Sequence, residues 1–352
     1  MEQISSWFKN QLSNPQVVFL TAAVVVLFVI IVYAGHMLAP VIAGVVIAYL
    51  LEGIIKRFGN VLPRTVCVWL VFLTFMIFLM IIVFGLLPTL YNQLTQVVAQ
   101  IPSMLSKGQT ALMTLPEHYP DLFSQEQVVD IVNRVRADLT AYGRQAVTSS
   151  LSGAASLIGL LIYVILLPIL IFFFLKDKDR ILQWLRDFLP SDNQLAVTVW
   201  KDVDRQIGNY IRGKFWEILV VWAASFIAFN FLGLQFSMLL AVLVGISVLI
   251  PYIGAAVVTV PVVIIAYFQW GWTNEFFTLV GTYLVIQALD GNLLVPLLFS
   301  EVVNIHPVAI IVAVLFFGGL FGVWGVFFAI PLATVVQAII IAWPKTSVPE
   351  KT

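Results

Sequence analysis

With 352 residues, 61% of them hydrophobic and only 10% charged, the chain lacks the polar surface of a soluble domain, which carries about 25% charged residues. Eighteen Lys and Arg balance eighteen Asp and Glu, so no basic excess points to nucleic acid. Cys67 is the only cysteine, which excludes an intrachain disulfide, a cysteine metal centre and a dithiol redox pair.

Residues 17–51, 66–87, 153–175, 218–274, 276–289 and 302–344 contain no Lys, Arg, Asp or Glu. A helix needs about 20 apolar residues to cross about 30 Å of hydrocarbon, so these windows predict an integral membrane protein of several spans. The opening MEQISSWFKNQLSNPQ delays its first basic residue to Lys9 and offers no small-residue cleavage site, which fits an uncleaved anchor. The first window divides at AGHMLAP, predicting helices near 17–34 and 37–52, and residues 66–87 form a third span closed by Pro88. Residues 1–87 thus make an N-terminal membrane segment.

Residues 88–152 read as an amphipathic helical region outside the membrane. Leu90, Leu94, Val97, Ile101 and Met104 recur at helical spacing, and Ser124 with Gln127 matches a capping box. Such stripes can pack on each other, on a neighbouring subunit or along the membrane surface. A fourth span over 153–175 leads into a basic loop, 176–214, which holds Lys176, Lys178, Arg180, Arg186, Lys201, Arg205, Arg212 and Lys214. Trp200, Val203, Ile207 and Ile211 place an amphipathic helix there. A C-terminal membrane core over 215–343 and a tail over 344–352 complete the chain. Residues 236–268 are too long for one upright span and are interrupted at Pro251 and Gly254, giving either a bent helix or a re-entrant pair. Residues 307–343 are interrupted in the same way around Gly318, Gly319, Gly322 and Gly325. Counting each run once gives about eight spans. The bias of Lys and Arg toward the cytoplasm then puts both termini and the basic loop inside, and 88–152 in the periplasm.

The fold class expected is therefore an all-α polytopic integral membrane protein with broken or re-entrant C-terminal helices. The unusual chemistry lies in ALDGNLLVPLLFSEVVNIHP, where Asp290, Gly291, Asn292, Pro296, Glu301, His306 and Pro307 interrupt or border apolar sequence. A carboxylate at mid-bilayer costs on the order of 3 kcal/mol on insertion scales. Asp290 is accordingly either a cation or proton site on a pathway or a group that bonds a neighbouring helix at a break. Glu217, three residues after Lys214 in IRGKFWEILVVW, is read as interfacial with Lys214 as a partner, and ranks with Glu301 behind Asp290. His306 is either a further coupling candidate or an interfacial histidine without such a role. Pro251, Tyr252 and Gly254 are candidates for a gate or a packing kink, because a break at hydrocarbon depth must face protein or water. LLAVLVGISVLIPYIGAAVVTVP and AIIVAVLFFGGLFGVWGVFFAIP share glycines and a Gly–apolar–Pro ending, which is either an internal repeat or a chance likeness.

No nucleotide-binding loop, H-E-x-x-H motif or G-x-S-x-G elbow occurs, and the three histidines are widely separated. No enzyme activity, cofactor or metal is therefore expected. Taken together, LVGISVLIPYIGAAVVTVP, VIQALDGNLLVPLLFSEVVNIHPVAI and GGLFGVWGVFFAIPLATVV resemble the autoinducer-2 exporter (AI-2E) family. MLAPVIAGVVIAYLLE, IFFFLKDKDR and NYIRGKFWE bring the likeness closest to its PerM-like permease branch. It covers nearly the whole chain and is weakest over 100–150. The resemblance implies an inner-membrane homo-oligomer in contact with lipid, and marks Pro251, Tyr252, Gly254, Asp290, Gly291, Asn292, Pro296, His306, Pro307, Gly322, Gly325 and Pro331. Family members are connected with export of a signal molecule or with sodium/proton antiport, and many carry Glu where this chain has Asp290. The expectation is a secondary transporter of a small solute or signal molecule, coupled to H⁺ or Na⁺; the alternative is a membrane scaffold whose polar residues serve packing.

Overall fold

The computed structural model describes residues 15–59, 61–113, 129–130, 134, 154–187, 194–251, 253–299 and 306–342. These are helices and short turns, without a strand among the described residues. In chain order they are α1 (Pro15–Phe58), α2 (Arg64–Ile81), a π-helical turn (Ile82–Leu86), α3 (Leu87–Met113), α4 (Ala154–Lys176), α5 (Lys178–Arg186), α6 (Gln194–Phe231), α7 (Ser237–Ser247) and α8 (Ile253–Trp270). They continue with α9 (Asn274–Leu289), a second π turn (Asp290–Leu294), α10 (Val295–Phe299), α11 (Pro307–Phe327) and α12 (Ala329–Ala342). Five stretches are long and apolar enough to cross a membrane: Met37–Phe58, Arg64–Gly108, Val197–Phe231, Ile253–Trp270 and Asn274–Phe299. Leu73, Ile77, Ile81 and Phe84 on the second of these are exposed, as side chains facing lipid would be. The chain is an all-α polytopic membrane protein.

Three elements are longer than the sequence suggests. α1 runs through AGHMLAP with Pro40 inside it, so the two helices expected over 17–52 are one. At 1.5 Å per residue its 44 residues span about 66 Å, which carries Pro15 and the basic Lys56–Arg57 turn to opposite ends. The crossing count that placed the N-terminus beside that basic turn is revised accordingly. Pro88 does not end α2 either. Proline deletes one N–H and crowds the carbonyl four residues back, and the π turn at 82–86 takes up that crowding just ahead of it. The helix then continues into α3, whose Leu90, Val97 and Met104 pack on the C-terminal core while Leu94 stays exposed. Likewise the amphipathic stretch around Trp200 and the span after residue 215 are one helix, α6. The expected capping box at Ser124 and Gln127 lies outside the described residues.

Residues 236–268 resolve as a pair. The Gln235 N–H donates to Gln269 Oε1 at 2.8 Å, and Gln269 Nε2 donates to the Gly233 carbonyl at 2.8 Å. The start of α7 and the end of α8 therefore lie together, and the two helices form an antiparallel hairpin whose first arm ends at Val248. At the tip, a Cβ on Gly254 would sit 1.7 Å from the Ser247 carbonyl oxygen. Gln93 of α3 accepts the Leu239 N–H at 2.8 Å, capping the first turn of α7. A second hairpin follows. Gly322, at φ 59° and ψ −139°, breaks α11, and a Cβ on Gly325 would lie 1.9 Å from the Phe317 carbonyl oxygen. Ile310, Ala313 and Val314 of its first arm share a core with Ala329 and Ile330 of α12. The likeness between the two Gly-rich segments thus corresponds to two hairpins, each with a glycine pressed on a carbonyl of its own first arm.

Since no side chain fits at the first tip, Gly254→Ala is expected to lower stability by about 3 kcal/mol. Gly281→Ala, where an added Cβ meets nothing within 4 Å, should change it by less than about 1 kcal/mol. Unfolding of the two variants in the same detergent checks the difference.

Candidate functional site

A hairpin that turns inside the protein leaves the last carbonyls of its first helix without helical partners. The helix dipole adds a partial negative charge there, so the position favours a cation. Lys214, near the middle of α6, supplies it. Its Nζ donates to the Val248 carbonyl, the C-cap of α7, at 2.7 Å. The same ammonium stands 2.7 Å from Glu217 Oε2 and 5.4 Å over the ring of Phe299. Lys214 is 5% exposed and Glu217 2%. The i, i+3 spacing on α6 puts both on one face, against the hairpin and α10.

Asp290 opens the π turn that joins α9 to α10. One extra residue in a helical turn breaks the regular ladder, and such bulges recur at functional sites. Asp290 lies within electrostatic reach of Lys214 and Glu217. The cluster therefore sets one ammonium against two carboxyl groups. Its hydrogen bonding is incomplete. Glu217 Oε2 meets Lys214 as an ion pair without a directed hydrogen bond, and Asp290 Oδ1 is buried with no partner among the described residues. Trp222 Nε1 and Ser225 Oγ, further along α6, are also buried without partners. Asp290 Oδ1, Trp222 Nε1 and Ser225 Oγ are thus the buried side-chain atoms left without a polar partner among the described residues. Most buried polar atoms are bonded, which sets these three apart from the rest of the interior.

Two more polar contacts flank the cluster. The Thr259 and Tyr283 hydroxyls are 2.9 Å apart, Gln287 Nε2 donates to Tyr283 Oη at 2.7 Å, and Thr259 Oγ1 donates to the Ala255 carbonyl at 2.7 Å. This chain ties α9 to the first turn of α8, beside the tip of the first hairpin. One turn before Lys214, the buried Tyr210 hydroxyl donates to the Phe327 carbonyl at 2.9 Å, at the end of α11 and five residues past the Gly322 break. One face of α6 thus holds both hairpins by main-chain carbonyls.

The structure brings Asp290 and Glu217 together and separates them from the other expected polar residues. Glu217, expected at the interface, is enclosed by protein at 2% exposure, and its partner Lys214 meets a helix end. Asn292 Nδ2 donates to the Ala288 carbonyl of its own helix at 2.8 Å. His306 is the N-cap of α11, where Nδ1 accepts the Val308 N–H at 3.3 Å and Pro307 opens the helix. Pro251 lies in the first hairpin turn, Gly254 and Gly325 at the two close approaches, and Gly322 at the second break. Gly291 has open space where a Cβ would stand, Pro296 is exposed in α10, and the Pro331 carbonyl accepts from Thr334. Tyr252 and Glu301 lie outside the described residues. Sequence reasoning did not single out Tyr210, Ser225, Thr259, Tyr283, Gln287 or Phe299. The four-residue spacings of Tyr210 with Lys214 and of Tyr283 with Gln287 were the available signals. Among the described residues no group of His, Cys, Asp and Glu is arranged to hold a metal ion.

Removing one partner of a buried ion pair strands the other charge, at a cost of about 3–5 kcal/mol, whereas neutralising both is far milder. Lys214→Met should therefore destabilise the protein by about that amount, and Lys214→Met with Glu217→Gln should recover more than half of it. Unfolding of the single and double variants in detergent, as a double-mutant cycle, measures the coupling.

A cluster of this kind, at a helix break between membrane hairpins, suits a protein that moves charge or solute. The comparisons agree. The model of the family described as AI-2E family transporter matches residues 19–345. The chain is similar to the protein named "Putative permease PerM" of Escherichia coli (strain K12), 43% identical over 352 residues and covering 100% of both chains. It is 25% identical over 313 residues to "Putative transport protein YueF" of Bacillus subtilis (strain 168), with 88% of this chain and 84% of that one covered. A "Putative transport protein" of Haemophilus influenzae is 21% identical, with 96% of each chain covered. By the extent of the family match and the full-length identity, the chain is a member of the AI-2E transporter family.

Proposed function

We propose that the protein is a secondary permease of the bacterial inner membrane, coupling a small solute or signal molecule to H⁺ or Na⁺ through Lys214, Glu217 and Asp290. The observation that carries this reading is the buried Lys214–Glu217 pair at the tip of a broken helix, with the unpartnered Asp290 carboxyl oxygen within its electrostatic reach. Binding of a proton or cation at Glu217 or Asp290 offsets their charge and weakens the electrostatic hold on Lys214. A buried ammonium without its carboxylate is costly, so Lys214 withdraws from the Val248 carbonyl toward water and releases the hairpin to shift against α6. Repositioning of broken helices around a central site is the general basis of alternating access.

Orientation follows from the basic end of the bundle. Glu52 bonds Arg64 Nη1 at 3.1 Å and Lys178 Nζ at 3.0 Å, and Arg64 Nη2 donates to the Leu175 carbonyl at 3.1 Å. Lys56, Arg57, Arg64, Lys176 and Lys178 gather at this end, which the positive-inside bias assigns to the cytoplasm. The basic stretch 176–214 then begins in the cytoplasm, the region 88–152 extends into the periplasm, and the start of α1 faces the periplasm. Cysteines introduced at Ser103 and Gln183, both exposed, are expected to react from opposite sides in a Cys67→Ala background. Labelling from the same side would overturn the orientation.

In proteoliposomes with imposed pH and Na⁺ gradients, the wild-type protein is expected to move protons or Na⁺ when a transported solute is present. Asp290→Asn should lower that gradient-dependent flux at least tenfold while the protein stays folded and inserted. Equal background flux in both proteins across a panel of small solutes would instead support a scaffold whose acids serve packing.

A further inference from the structure

The apolar interior falls into separate cores, and the border between two of them runs through the charged cluster. On α6, Ile207, Tyr210 and Ile211 pack with α10, α11 and α12. Further along the same helix, Ile218, Val221, Trp222 and Phe229 pack with α7, α8 and α9. Gly213, Lys214 and Glu217 occupy the stretch between. The chain crosses the border again after α9: Tyr283 and Leu294 belong to the core of the first hairpin, Val295 and Phe299 to that of the second. This crossing is the end of the π turn that Asp290 opens. A third crossing separates α2 from α3. Val68 and Val71 of α2 pack with α1 and α4, whereas Val97 and Met104 of α3 pack with the first hairpin. Here the chain passes through the other π turn, Ile82–Leu86. Both π turns among the described residues therefore lie where the chain passes between cores.

Each side of the border is tightly joined within itself. Phe299 sits on Gly213, where a Cβ would lie 2.6 Å from its Cε1, so α10 stays with the first half of α6. On the other side, a Cβ on Gly245 of α7 would lie 2.8 Å from Trp222 Cβ and 3.1 Å from the Ile218 carbonyl oxygen, which fixes α7 to the second half of α6. The chain of Thr259, Tyr283 and Gln287 fastens α9 to α8. Among the described residues no extended packing joins α7, α8 or α9 to α11 or α12. Close-packed cores respond to strain as units, and helices bend most readily where a π turn interrupts their ladder. We propose that the protein consists of two bodies that rock against each other. The first comprises α3, the second half of α6, and α7, α8 and α9; the second comprises α1, α2, α4, the first half of α6, and α10, α11 and α12. The hinges are Ile82–Leu86, Gly213–Glu217 and Asp290–Leu294. Lys214, at the border, clasps the first body through the Val248 carbonyl. The inference deepens the permease reading and rests on it for its purpose: it names the body that shifts when Lys214 lets go.

The test measures distances between paired nitroxide labels by electron double resonance, in a Cys67→Ala background diluted with unlabelled protein. Val257 with Phe277 reports on the first body, Met37 with Leu315 on the second, and Phe277 with Leu315 on the two together; all four side chains are exposed. In Lys214→Met with Glu217→Gln, which removes the clasp without stranding a charge, the distance between bodies is expected to shift or widen by at least about 3 Å, and both internal distances by less than about 1 Å. Asp290→Asn should move the same pair in the same sense, and carries the test should the double variant fail to fold. A distance between bodies as narrow and unmoved as the internal ones, or internal distances that change as much as it does, would overturn the hinge. The measurement requires no transported solute. Loss of the flux difference between wild type and Asp290→Asn, with the distance changes intact, would remove the coupled permease and leave the two bodies standing. Unmoved distances with that flux difference intact would do the reverse.

Discussion

A helix that stops inside a membrane protein ends in carbonyl oxygens that water does not reach, and everything at the centre of this molecule follows from how those oxygens are met. At the first hairpin the answer is an ammonium, and at the second a phenol. An ammonium cannot be buried alone, so it brings Glu217, and the acidic turn at Asp290 comes within reach. The polar interior of an otherwise apolar bundle is thus organised by the breaks. Helix breaks are tolerated at this depth only where other parts of the protein complete the backbone bonding.

The close approach of the hairpin arms rests on glycine at two positions, Gly254 and Gly325, where a side-chain carbon would collide with a carbonyl oxygen of the opposite arm. That contact lets a short helix such as α7 turn back without a long loop. The apolar faces of α7, α8 and α9 then form one core around Leu240, Val244, Val262, Leu279 and Tyr283. The amphipathic helix α3 closes that core from one side, which uses the apolar stripe that its sequence displays. Its role is therefore partly intramolecular, between the long helix rising from α2 and the first hairpin.

Much of this was legible in the residues. Charge-free windows identify membrane helices because charge is expensive in hydrocarbon, and Pro251 with Gly254 marks a break because neither suits a continuous apolar helix. Asp290 stands out for the same reason as the windows do. The errors have a common physical origin: local signals were read without the tertiary contacts that answer them. Pro40 and Pro88 look like helix ends, yet a membrane helix has a strong reason to continue, and a π turn absorbs the misfit beside Pro88. Arg212 and Lys214 beside an apolar run look like headgroup anchors, and only the folded hairpin reveals that one of them points at a carbonyl 34 residues away. Phe299 gave no signal, because an aromatic residue in apolar sequence is ordinary. Its position on Gly213 is a property of two helices together.

The π turn at Asp290 has a consequence for angular register. Successive residues of an α-helix are set about 100° apart around its axis, so one surplus residue turns all that follows by about that angle relative to what precedes it. α9 and α10 therefore present faces that a regular helix could not offer in the same directions: Tyr283 toward the first hairpin and Phe299 toward α6. Deleting a single residue from Gly291 to Leu294 would rewind the helix and swing the phenyl group about a quarter-turn off its seat, with no change to the cluster's own side chains. The turn works as an angular offset, and the geometry of the closed centre depends on keeping that spare residue.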